Sequence, residues 1–175
     1  MKFKLFRVIA LFILVAVVAA GCAPAAATQA PSTVFKVAIV MPSSITDMAF
    51  SQSMFEGLKK GQTEMGGEKA MEIAYSENMF KVPDAAAAIR DYASKGYNLV
   101  IAHGSQYGTS LQQIAPDIPK TAFAWGTSLD TFQADGITNV FAYQAEAQQG
   151  GYVLGTVAAL MSKSGIIGET GPVDA

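Results

Sequence analysis

Short runs of β-forming apolar residues alternate with longer stretches of helical spacing along most of this chain, and that alternation limits the fold more than any other feature. Val37-Ala38-Ile39-Val40-Met41 has no polar side chain, the pattern of a strand buried on both faces of a parallel sheet. Leu99 to Ala102 is the next plainest strand, and Ala70 to Tyr75, Thr121 to Trp125 and Thr138 to Tyr143 complete the set. Between them, Phe50, Met54 and Leu58 recur at four-residue spacing. Val82-Pro83-Asp84 opens a helix that Lys95-Gly96 closes, and a helix from Thr109 to Ala115 stops before Pro116. A last helix is expected from Ala145 to Lys163, where Gly150, Gly151 and Gly155 would permit close packing on a sheet. Repeated β then α units with right-handed crossovers give an α/β fold with a doubly wound parallel sheet.

The first residues have a different character. Lys2, Lys4 and Arg7 precede an uncharged apolar run from Val8 to Ala20, too short for a bilayer span of roughly 20 residues but suited to the core of a secretory signal. Ala19-Ala20-Gly21-Cys22 resembles the bacterial lipobox, so residues 1–22 are read as a lipoprotein signal peptide and Cys22 as the lipidation site. Buried acyl chains contribute about 0.8 kcal/mol per methylene, and several together anchor stably. Cys22 is the only cysteine, which excludes an internal disulfide and any CxxC metal or redox site. Residues 23–33, APAAATQAPST, contain no large apolar side chain and read as a flexible tether. The expected location is the cell membrane, lipid-anchored and facing the extracytoplasmic side.

Three of the 12 basic residues lie in the signal and all 14 acidic ones after it, which leaves nine against fourteen, a net charge of −5, beyond Cys22. An acidic exported chain without a Lys/Arg block argues against nucleic acid as a partner. The organisation expected from there is a binding lobe over residues 34–164. Residues 165–175 follow as a hinge approach to a second lobe that the chain does not contain.

In an open parallel sheet, ligands bind beyond the carboxyl ends of the strands, near the point where strand order switches. The first strand is followed by Ser43, Ser44, Thr46, Asp47 and Phe50; the third by His103, Gly104, Ser105, Gln106 and Tyr107; the fourth by Trp125, Gly126, Thr127 and Ser128. Rings mixed with short polar groups suit a flat, polar organic ligand. Each residue also has a plainer role open to it. Asp47 could cap the following helix, Phe50 and Trp125 could be core, and His103 could be an ordinary hydrogen-bonding residue. Enzyme signatures are lacking: there is no GxSxG elbow, no GxGxxG or GxxxxGK[ST] loop, and one histidine without a free thiol makes a poor metal site. No cofactor and no metal are expected.

Three stretches in order, KVAIVMPSSITDMAFSQSMFEGLKKG, IRDYASKGYNLVIAHGSQYG and QAEAQQGGYVLGTVAALMSKSGIIG, together with the lipobox, resemble the basic membrane protein (PnrA-like) family. These are substrate-binding lipoproteins of ABC importers. The resemblance implies the first lobe of a two-lobed type I periplasmic-binding-protein fold. It also implies a purine nucleoside or similar small polar ligand, with an ABC permease and ATPase as partners. Asp47, Phe50 and Gln52 match the family's first loop, with Ser51 and Thr46 where asparagine is usual. Gly104, Gln106 and Tyr107 match its HGFQF-like turn, and Glu146 an acidic position before the helix segment Tyr152-Val153-Leu154-Gly155. The ligand-binding set implied, with Trp125 added from its place after the fourth strand, is Asp47, Phe50, Ser51, Gly104, Gln106, Tyr107, Trp125 and Glu146. A sugar or autoinducer receptor of similar architecture is the alternative, and an exported hydrolase a more distant one.

Overall fold

A computed structural model describes residues 34–169. The stretches read as a signal peptide and a tether, and Cys22 between them, lie outside the described residues, as do residues 170–175. The elements follow one another as β1 (Phe35–Val40), α1 (Phe50–Glu64), β2 (Met71–Ser76), α2 (Val82–Ser94), β3 (Leu99–Ala102), α3 (Gly108–Ile114), β4 (Ala122–Gly126), β5 (Val140–Tyr143) and α4 (Ala147–Met161). The five strands form one parallel sheet in the order β2-β1-β3-β4-β5. The chain moves outward from β1 to β2, then returns to place β3 on the other side of β1. The switch in strand order therefore falls between β1 and β3.

Strand alternation sorts the apolar residues onto two faces. Ala38, Val40, Val100, Ala102, Phe123 and Val140 pack with Ala85, Ile89 and Ala93 of α2 and with Leu111 and Ile114 of α3. On the other face Val37, Ile39, Met41, Met71 and Ile101 lie beneath Met54, Phe55 and Leu58 of α1. Val37, Val40, Ile39, Ile89, Val100 and Leu111 are fully buried, a class of side chain worth about 1.5–3 kcal/mol each when taken from water.

Local chemistry explains the boundaries. Pro83 occupies the first turn of α2, where its missing N–H costs nothing, and Gly96 at φ 79° turns the chain back towards β3. The helix before Pro116 ends at Ile114 and tightens into a 3-10 turn over 115–117. The last strand starts at Val140, later than expected. Ahead of it the Asn139 amide donates to the carbonyls of Ala115, Ile118 and Thr121, tying the connection between β4 and β5 to that between α3 and β4.

The expectation for the last helix needs correction. No side chain of α4 is buried, and nothing lies within 4 Å of where a Cβ would stand on Gly150, Gly151 or Gly155. Val153, Leu154, Val157, Leu160 and Met161 share an apolar stripe about 120° wide, with Tyr152 outside it, and all of them are exposed. Phe141, on the opposite face of β5 from the buried Val140, is exposed. No helix among the described residues is long and apolar enough to cross a membrane.

Candidate functional site

The loops at the carboxyl edge of the sheet carry stored strain. Among the described residues four other than glycine have positive φ, Met48 (56°), Asn78 (60°), Thr127 (60°) and Phe132 (55°), and all lie in the loops that follow β1, β2 and β4. Gly66, Gly67, Gly96 and Gly136 hold the positive φ angles on the approaches to β2, β3 and β5, where a glycine bears that conformation without penalty. Left-handed backbone costs an L-residue roughly 1–2 kcal/mol, and such residues collect where a loop is shaped for a purpose.

Asp47 shapes the first of these loops. Its Oδ1 accepts from the backbone N–H of Ala49 (2.9 Å) and Gln52 (3.1 Å), and its Oδ2 from Ser51 N–H (3.0 Å) and the Ser43 hydroxyl (2.5 Å). The Ser43 hydroxyl above all, with those three N–H groups, holds the carboxyl well below the usual carboxylate range against an opposing contribution from burial. A carboxylate offers about four acceptor positions, and all four are taken. Of the two roles open to Asp47, the geometry displays the cap. Ser51 is fully buried with its Oγ 2.7 Å from that of Ser43 and offers a ligand no surface. Glu77, beyond β2, accepts from Ile45 N–H (2.8 Å) and from the Ser44 hydroxyl (3.0 Å), so the second loop braces the first.

In the third loop Gly104 is buried, and its carbonyl accepts from Trp125 Nε1 at 3.1 Å. Tyr107 is fully buried and donates to the Met79 carbonyl at 2.9 Å, and burial pushes its hydroxyl up to about 12. Gln106 is half-buried beside Gly104. Trp125 is partly buried and stacks on Phe132 with centroids 5.1 Å apart. It lies so close over α3 that a Cβ on Gly108 would come within 2.2 Å of the indole. Glu146 stands exposed just ahead of α4 and accepts from the Gln149 amide.

Phe50 begins α1 and stacks on His103 with ring centroids 3.8 Å apart and planes 14° from parallel, joining the loops after β1 and β3 across the switch point. Phe50 remains 39 % exposed while His103 is 5 % exposed, so a single side of the phenyl ring is open. His103 Nε2 lies 3.1 Å from the Phe50 carbonyl, which can only accept, so Nε2 bears the proton. Nδ1 is then the acceptor for the Tyr143 hydroxyl at 2.7 Å. Burial lowers the imidazole's proton affinity, opposed by the Phe50 carbonyl and by Asp47, and burial raises the Tyr143 hydroxyl far above its ordinary value.

The structure thus brings Phe50 and the third loop together, keeps Asp47, Ser51 and Tyr107 within the framework, and leaves Glu146 at the exit from the sheet. Two members of the constellation were not among the residues expected. His103, for which an ordinary hydrogen-bonding role was open, is buried with both ring nitrogens engaged, and Tyr143 gave no local signal. The sheet register explains both: Ala102 pairs with Trp125 and Gly126 with Tyr143, so His103, Gly126 and Tyr143 fall in one row.

A groove of about 500 Å³ lies elsewhere, between α1 and the free edge of β2, lined among others by Phe55, Lys59, Gln62, Ile73 and Tyr75. Its glutamine amide is engaged, donating to the Met71 carbonyl and accepting from Lys59, and we place the site at the carboxyl edge instead. Among the described residues no group of three or more His, Cys, Asp or Glu side chains is arranged to hold a metal.

A family model described as ABC transporter substrate-binding protein, PnrA-like, matches residues 34–174. The chain belongs to this family. It is 34% identical over 115 residues to a purine-binding protein of Brucella abortus, covering 66% of this chain and 31% of that protein. It is 29% identical over 133 residues to the transcriptional activator protein Med of Bacillus subtilis, covering 76% of this chain and 39% of that one. Among solved structures it is similar to an ABC transporter solute-binding protein from Conexibacter woesei, with a TM-score of 0.59 and 24% identity over 73% of this chain and 40% of that chain. The PnrA-like chain therefore spans two fifths or less of the length of these relatives, and the structural likeness supports the α/β fold expected from its sequence.

Proposed function

We propose that this PnrA-like chain is the solute-binding component of an ABC importer that takes up a purine nucleoside or similar flat, polar ligand. The observation that carries the reading is the single open face of Phe50, backed on its other side and set at the topological switch point. An aromatic platform there supplies about 0.5–1.5 kcal/mol beyond area burial to a stacked ring. The purine-binding relative in Brucella abortus supports the same ligand class. Gln106 would add a polar contact beside the platform, and Trp125 would wall the third and fourth loops. Asp47, Ser51, Gly104 and Tyr107 would act through the loops they hold, and Glu146 on the segment leading to α4. The function is binding and release, without covalent chemistry. A permease and ATPase would receive the ligand, and lipid on Cys22 would keep the chain at the extracytoplasmic face of the membrane.

The test is a thermal-shift and calorimetric screen with inosine, guanosine and ribose. Purine nucleosides should raise the melting temperature and ribose should not. Stabilisation by ribose alone would favour a sugar receptor. Replacing Cys22 with Ala should release the expressed chain from the membrane fraction.

A further inference from the structure

Phe50 offers a ligand one ring face because His103 covers the other at 3.8 Å, and the same imidazole donates from Nε2 to the Phe50 carbonyl at 3.1 Å. Ring and backbone of one residue are held by one neighbour. That neighbour is held in turn by Tyr143, whose hydroxyl meets Nδ1 at 2.7 Å and whose ring lies within 9° of parallel. Tyr143 is the last residue of β5, and after three intervening residues α4 begins, with no side chain buried. His103 is too deeply covered to touch a ligand itself.

We infer that His103 is a positioning residue that fixes the Phe50 platform and links it, through Tyr143, to the segment Gln144–Glu146 by which the chain leaves the sheet. This rests on Phe50 being the ligand platform. A platform held rigid before the ligand arrives loses less freedom on binding, which is how a residue without ligand contact raises affinity. The arrangement requires the neutral, Nε2-protonated ring. The groups that face it are Asp47 from the loop after β1, the Phe50 carbonyl from α1 and Tyr143 from β5, while β4 contributes the uncharged Gly126. Protonating the ring would turn Nδ1 into a donor and force the bond from Tyr143 to reverse.

The test is a double-mutant cycle on the full chain, with Phe50→Ala and His103→Gln, read as guanosine affinity by calorimetry. Each single substitution should weaken binding about two- to tenfold, and the pair no more than Phe50→Ala alone. Additive losses would show that His103 meets the ligand directly, and an unchanged affinity in His103→Gln would reduce it to packing; either result overturns the inference. A second measurement needs no ligand. Nitrogen-15 spectra of the unaltered chain should show protonated Nε2, and the Phe50 ring protons should be shifted upfield by the imidazole. A protonated Nδ1 alone, or unshifted Phe50 protons, would overturn it. If the chain binds no purine, the nucleoside reading fails, and these spectra decide the role of His103 by themselves.

Discussion

His103 and Tyr143 lie in the same row of the sheet, two strands apart, and reach each other at 2.7 Å because only Gly126 stands between them. A Cβ at Gly126 would sit 2.6 Å from the Tyr143 oxygen and 3.2 Å from His103 Nδ1. The glycine is required by space, since its backbone is not left-handed, and the aromatic stack from Phe50 to Tyr143 depends on it.

Gly126→Ala should therefore push the two rings apart. Overpacking of this kind costs about 1–3 kcal/mol, to be read as a lower urea midpoint with little change in m-value. Guanosine affinity should fall with it. A variant as stable as the parent would show that Tyr143 moves aside freely.

The buried neutral imidazole makes stability depend on pH. Burial lowers the folded-state affinity of His103 for a proton below its unfolded value near 6.5. Its contribution is then fully present above about pH 6.5 and is lost as pH falls through the folded-state value. Urea midpoints measured from pH 8 to pH 5 should decline towards the acid end, and His103→Gln should flatten that decline.

Asp47 has the same sign of dependence in a lower window. Its carboxyl is held down chiefly by the Ser43 hydroxyl, so its contribution is complete above the ordinary Asp range near 3.8 and disappears as pH falls through the depressed value. Asp47→Asn should lower the melting temperature at pH 7 and weaken the pH dependence of unfolding below pH 4. Amide exchange at Ala49, Ser51 and Gln52 should quicken in the variant, because those N–H groups lose their charged acceptor.

The chain contains a single tryptophan, so its fluorescence reports one place. Gly108→Ala sets a methyl 2.2 Å from the Trp125 ring and should displace it from Phe132 and from the Gly104 carbonyl. The expected outcome is a red-shifted emission maximum and a stability loss of about 1–3 kcal/mol.

Phe50→Leu keeps an apolar side chain at a half-open position but removes the stacking ring. Guanosine affinity should drop about two- to tenfold while the melting temperature changes little. An equal loss for ribose and guanosine would argue against stacking on the base.

Much of the fold was legible because its signals are local. The run from Val37 to Met41 carries its own burial on both faces, Pro83 and Gly96 punctuate α2 through backbone chemistry, and Pro116 stops α3. The carboxyl-edge loops were legible for the same reason, since the strand ends name them. The roles within those loops were less so. Asp47 preceding a helix fits a cap and a ligand carboxylate equally well in sequence, and the four donors that make it a cap come together only in the fold. The glycines of α4 resemble a packing surface in sequence, yet helix spacing does not say which partner is near.

By itself the sequence determined the α/β alternation, the apolar interior of the sheet and the set of loops that could bear a site, because these follow from residue type and spacing along the chain. Tertiary structure alone decided that His103, Gly126 and Tyr143 share a row and that Phe50 closes over the first of them. Strand order and register join residues as many as 53 positions apart, and no local preference of either partner encodes that meeting.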